Sequence, residues 1–270
     1  MTPGGGLEQI LVGEIRGLIH RLILFLGGPA KVEALLLTYK ESLESGGHAP
    51  EYVESCLKKR HPWWETLEYF VELDHACKTI SDNLTPELEL LAADALMVNR
   101  MRKGMPAGVR TRLAAGLTDY TTANGTLYEL ATAWRYFRRD HAISWGEGDD
   151  GPGFSVDTGS LDFDVACGSV RDAQQDTIRG CLDDASERMR GRFRPGLIAC
   201  YIDGQAGMEG PESSGVLSAA TGAFFAGEDN AHVAAVMFGT WTRAGDSGVR
   251  DAAVFRNPSC GYDVEGFDFL

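Results

Sequence analysis

The feature that most constrains this chain is a change of hydrophobic period partway along its 270 residues. From residue 7 to about 120, apolar residues recur at spacings of three and four in "VEALLLTYKESLE", "WWETLEYFVELDHACKTI" and "PELELLAADALMVNRM", the period of helices with one buried face. Breaks fall at Gly27-Gly28-Pro29, at "GGHAP" and at "NLTPE", where Gly, Pro and short polar residues end one helix and start the next. From about residue 141 the runs become short and β-like: "HAISW", "GFSVD", "LDFDVAC", "GLIACYID", "HVAAVMF" and "AAVFRN". Two helices are expected among them. One spans about 171–193, with Ile178, Leu182, Ala185 and Met189 on one stripe, and the other about 214–226. The order helix, β-meander, helix, strand, helix, strand, strand predicts an α/β sheet with helices packed on it. Two domains are expected: a helical one over 1–120 and a sheet domain over 121–270.

Charge narrows the partners. The formal net charge is -14, and residues 121–270 hold 12 arginines, no lysine and 23 acids, leaving about -3 on the first 120. So acidic a surface repels phosphate backbones and anionic membranes unless basic groups gather locally. Six of those arginines lie in or beside "VRDAQQDTIRGCLDDASERMRGRFR", alternating with acids as on a solvated helix face. The apolar run "ILVGEIRGLIHRLILFLGG" carries Glu14, Arg16, His20 and Arg21, which favours a buried amphipathic helix over a membrane span. "MTPGGGLEQ" lacks the positive start of a signal peptide. Cys56, Cys77, Cys167, Cys181, Cys200 and Cys260 form no CxxC pair and read as reduced thiols of a cytoplasmic protein. The six histidines have no zinc spacing, and no Walker loop, dinucleotide fingerprint or nucleophile elbow occurs. The aromatic cluster "HPWWETLEYF", at helical spacing, is expected in the core.

The stretch "GPGFSVDTGSLDFDVACGSV", residues 151–170, predicts a hairpin. Gly159-Ser160 suits a type II′ turn, since glycine supplies the positive φ needed at its first central position. That turn sets Asp157 opposite Asp162, Val156 opposite Phe163, Ser155 opposite Asp164, Phe154 opposite Val165 and Gly153 opposite Ala166. Alternation then puts Phe154, Val156, Phe163, Val165 and Cys167 on a core face. Gly153, Ser155, Asp157, Asp162, Asp164, Ala166 and Gly168 fall on the other, half acidic and half bare.

These residues resemble the PD-(D/E)XK nuclease superfamily, the restriction-endonuclease-like fold. "LYELATAWRYFRRDHAISW" is similar to the family's Glu-bearing helix and first strand, with Glu129 at the Glu. "GPGF" resembles the usual Gly-Pro-Asp-Phe and puts Gly153 at the Asp, while "VACG" resembles Val-Glu-Cys-Lys and puts Ala166 at the Glu and Gly168 at the Lys. The late "VFRNP" resembles a strand ending found in bacterial relatives. The resemblance covers about residues 121–258 and implies a mixed sheet flanked by helices, following an all-helical N-terminal region. In that family the carboxylates hold Mg²⁺ and the Lys stabilises charge. Gly153, Ala166 and Gly168 can do neither.

Two readings follow. In the first, the protein is a non-catalytic nuclease-like scaffold, with no cofactor and with a protein partner; nucleic acid is disfavoured by charge and no membrane is involved. In the second, it is a nuclease dependent on Mg or Mn whose carboxylates have moved to Glu129 and Asp164, with Asp162 further out. Asp164 lies two positions before Ala166 on the same face, about 7 Å along the strand. With no lysine beyond residue 120, Arg171 or Arg179 would have to supply the positive charge, and arginine cannot act as a base at neutral pH. Asp157 and Asp162, opposed as like charges, would suit a bridging divalent ion or simply flank an exposed turn.

Overall fold

The computed structural model describes residues 10–45, 61–146, 151–170, 174–202, 211–242 and 248–264. The break at 46–50, Arg171, Cys56 and the glycine-rich stretch 203–210 lie outside the described residues. The chain divides into two compact units, Met1–Lys103 and Gly104–Leu270.

Among the described residues the first unit has four α-helices: α1 (Val12–Phe25), α2 (Pro29–Ser45), α3 (Trp64–His75) and α4 (Pro86–Met101). The expected breaks have physical causes. Gly27 and Gly28 take φ of +115° and +97°, values open to glycine and costly for other residues, and Pro29 then starts α2. Thr85 caps α4, its hydroxyl accepting from Leu88 N at 3.2 Å, with Pro86 in the first turn. Ile15, Leu18, Ile19, Leu22 and Ile23 form the buried stripe of α1. Trp63, Trp64, Leu67 and Phe70 are buried, so the aromatic cluster is core as expected. No single helix among the described residues is long and apolar enough to cross a membrane; α1 and Pro29–Glu41 reach that length only together, bent by 82°.

The second unit is α/β. Helices α5 (Ala107–Thr118) and α6 (Ala123–Phe137) precede the strands β1 (Ala142–Trp145), β2 (Phe154–Asp157) and β3 (Asp162–Val170). Then come α7 (Gln175–Glu187), β4 (Gly196–Ile202), α8 (Pro211–Phe225), β5 (Val233–Thr242) and β6 (Gly248–Arg256). The six strands form one mixed sheet in sequence order. β1, β2 and β3 run as an antiparallel meander, β3–β4 and β4–β5 are parallel, and β5–β6 is antiparallel. The two parallel steps are bridged by α7 and α8, the crossovers that parallel neighbours require.

Those crossover helices share one face. Ile178, Leu182, Ala185 and Met189 of α7 and Leu217, Ala220 and Phe224 of α8 pack with Ala166, Val170, Ile198, Cys200, Ile202, Val236 and Phe238 from the strands. Helix α6 packs against other sheet residues: Tyr136 is edge-on to Phe163 at 5.4 Å and Tyr128 lies 5.9 Å from Tyr201, between ring centroids. A strand covered on both faces reads as a continuous apolar run, and all seven residues of β4, "GLIACYI", are buried.

Several expectations change. The division between units lies between Lys103 and Gly104, against the expected 120, and places α5 in the same unit as α6, against which it packs. Asn124-Gly125 lies inside α6, which starts after Thr122; the Thr122 hydroxyl donates to Gly116 O at 2.9 Å and makes no cap bond to the helix. Helix α7 is shorter than the expected 171–193, and α8 opens at Pro211, ahead of the expected start at about 214.

Candidate functional site

The hairpin has the expected register: Asp157 pairs with Asp162, Val156 with Phe163, Ser155 with Asp164 and Phe154 with Val165. Gly159 has a φ of +77°, as the first central position of the turn demands. Phe154, Val156, Phe163 and Val165 are fully buried. The opposite face is not bare. Ala166 is fully buried beneath α7. At Gly168 a Cβ would collide with Cys181 Sγ and lie 3.4 Å from Cys200 Sγ. A glutamate at 166 or a lysine at 168 would drive into the α7 packing, so these small residues are what lets the helix lie on the sheet.

Glu129 reaches the hairpin from the other direction, through the α5–α6 pair. Gly116 meets Thr126 closely enough that a Cβ there would overlap the threonine side chain. That approach fixes the next rung: Arg112 is one turn back on α5, Glu129 one turn on along α6. The two meet as a bidentate pair, Nη1 donating to Oε2 at 3.0 Å and Nη2 to Oε1 at 2.7 Å, a geometry in which guanidinium and carboxylate match plane to plane. Glu129 is buried. Gly153 lies against it: a Cβ at 153 would stand 2.9 Å from Glu129 Oε1. An aspartate there would press two carboxylates together, which needs a cation between them or a shared proton. In this chain glycine leaves Glu129 without a second carboxylate at this position, and Arg112 neutralises Glu129.

Asp164 is fully buried on the other side of the hairpin. Ser155 Oγ donates to its Oδ1 at 2.5 Å, and Arg192 Nε lies 2.7 Å from its Oδ2. Its backbone N–H donates to Pro195 O at 2.9 Å. The carboxylate thereby clasps the segment leading from α7 into β4, where Gly191, at φ +77°, turns the chain. Asp162 is exposed, 4.0 Å from Arg194. Asp157 is exposed and accepts from Gly159 N at 2.7 Å, the turn-closing role of aspartate. Arg179 pairs with Asp183 one turn away and lies over the Phe224 ring at 5.7 Å.

Glu129 and Asp164 thus each have their own arginine, on different elements. Among the described residues no three His, Cys, Asp or Glu side chains gather as a metal ion would need. A Mg²⁺ or Mn²⁺ ion would have to strip the guanidinium from both Glu129 oxygens and Arg192 from Asp164. The residues present therefore do not fit a divalent ion.

Sequence reasoning missed Arg112, Arg192 and the meeting of Cys181 with Cys200. Only the small residues Gly116 and Thr126 hinted that α5 and α6 pair closely. Comparison of the chain with protein-family models, with curated proteins and with solved structures finds no match in any of the three.

Proposed function

We propose that the Gly104–Leu270 unit is a non-catalytic, restriction-endonuclease-like module that acts by binding another protein. The observation that carries this is the Arg112–Glu129 pair set against Gly153: a fixed organic cation holds the one carboxylate that matches the nuclease pattern. The order of α6, the β1–β3 meander, α7 and β4 supports the resemblance to that fold. The segment after α7 supports the protein partner. Phe193 is 97% exposed there, an aromatic anchor of the kind that centres protein interfaces. Its neighbouring arginines face acids: Arg190 pairs with Glu187 at 3.0 Å and Arg192 with Asp164 at 2.7 Å. Their charge is therefore largely spent within the fold, which favours a protein surface over a phosphate backbone.

The test has two arms. Metal-stripped full-length protein is titrated calorimetrically with Mn²⁺ and assayed with Mg²⁺ or Mn²⁺ on duplex DNA, single-stranded DNA and RNA. Neither saturable heat nor cleavage is expected; cleavage abolished by Glu129→Gln would refute the reading in favour of the metal-dependent nuclease. In the second arm, a photo-crosslinker replaces Phe193 in cells. A discrete protein adduct is expected, and adducts confined to nucleic acid would overturn the choice of partner.

A further inference from the structure

Gly168 does more than accommodate α7: above it two thiols meet. Cys181, on the face of α7 turned to the sheet, and Cys200, the β4 register partner of Gly168, stand with their sulfurs 3.2 Å apart. Both are free thiols. They differ in access. Cys200 is fully buried, whereas Cys181 lines an open cleft of about 770 Å³ with Gly168, Ser169, Thr177, Asp184 and Arg188. Arg188 is held at this cleft by donating to Cys167 O at 2.6 Å. One thiol thus lines the cleft while its partner is fully buried, and the charged side chains that line the cleft with it are Arg188, Asp184 and Glu187.

We infer that Cys181 and Cys200 are a peroxide-sensitive dithiol, in which Cys181 is the residue attacked and Cys200 resolves it to a Cys181–Cys200 disulfide. The Cys181 thiolate attacks one oxygen of a hydroperoxide, the O–O bond breaks, and the other oxygen leaves as hydroxide or alkoxide and takes up a proton. Arg188 faces that developing negative charge. The Cys200 sulfur then attacks the Cys181 sulfenic acid; the S–S bond forms, the S–O bond breaks, and water departs with the Cys200 proton. Two thiols lose two electrons and the peroxide is reduced to water, or to water and an alcohol. The electrostatics agree with this division of labour. A hydrogen bond from Cys200 lowers the Cys181 thiol from its usual range, outweighing burial, with Arg188 adding to the effect. The same hydrogen bond together with burial raises Cys200, while burial and the Glu129 charge raise Cys167. Both are thereby disfavoured as the attacking thiolate relative to Cys181. The product staples α7 to β4 beside the cleft, so oxidation stiffens the crossover that leads to the Phe193 segment. This inference concerns thiol chemistry and stands independently of the proposed nuclease-like role.

The test is peptide mapping of reduced, full-length protein exposed to graded hydrogen peroxide and then alkylated. A peptide pair joined through Cys181 and Cys200, two hydrogens lighter than its reduced form, is expected at peroxide levels that leave the exposed Cys77 at least fivefold less oxidised. In Cys200→Ser, a dimedone adduct should appear on Cys181 in place of the disulfide; in Cys181→Ser, Cys200 should stay reduced. Oxidation of Cys77 ahead of Cys181, or a Cys181 sulfenic acid that persists in the native protein without closing on Cys200, overturns the proposal. The native map decides by itself should either serine variant fold poorly.

Discussion

Replacing Arg112 with methionine keeps the helix-forming alkyl stem and removes the guanidinium from Glu129. The glutamate side chain is only 9% exposed, so water cannot fully replace the two donors it loses. Breaking a buried pair by removing one partner costs about 3–5 kcal/mol. The Arg112 side chain is 35% exposed, so solvent already screens its flank, and the figure is discounted to about 2 kcal/mol. For a unit of this size that lowers the melting temperature by about 4–8 °C. Glu129→Gln removes the stranded charge, so Arg112→Met/Glu129→Gln should recover much of the loss, with a coupling energy of about 1–2 kcal/mol. Urea denaturation monitored by tryptophan fluorescence, run on both single variants and the double, measures each side of the cycle. A single Arg112→Met variant as stable as the native chain would refute the claim that this arginine neutralises a buried carboxylate. Strictly additive single losses would refute it equally.

Two further outcomes test the packing that positions the site. Asn257 follows β6, donating from Nδ2 to Asn230 O at 3.1 Å and Val233 O at 2.8 Å, while its Oδ1 accepts from Ser259 N at 2.9 Å; Asn257→Ala removes all three bonds at a buried side chain and should destabilise by about 1–3 kcal/mol in thermal melts. Gly239→Ala sets a Cβ about 2.5 Å from the buried Tyr128 ring and should cost about 1–3 kcal/mol by overpacking, whereas the paired Gly239→Ala/Tyr128→Leu variant should regain part of it.

The elements of this protein were readable because they rest on local rules. Alternation and the Gly159 turn determine which hairpin residues face each other, since a slip by one residue would turn Phe154, Val156, Phe163 and Val165 to the opposite face and bring Ser155 and Asp164 in their place. The Gly27-Gly28-Pro29 break and the Thr85 cap are likewise properties of a few adjacent residues. The small residues at 153, 166 and 168 were visible as well, but their meaning was not, because a glycine in a sequence does not say what fills the space it leaves. Tertiary packing supplied three different fillers: the Glu129 carboxylate at Gly153, the body of α7 over Ala166, and the Cys181 and Cys200 sulfurs over Gly168. Arg112 and Glu129 are 17 residues apart, Cys181 and Cys200 are 19 apart, and Asp164 meets an arginine beyond the next helix. No periodicity links residues at such separations. Sequence alone determined the change from helices to an α/β alternation and the register of the β2–β3 hairpin; only the close packing of α5 on α6 and of α7 on the sheet decided which charges and thiols meet, because those contacts depend on side chains brought together across the fold.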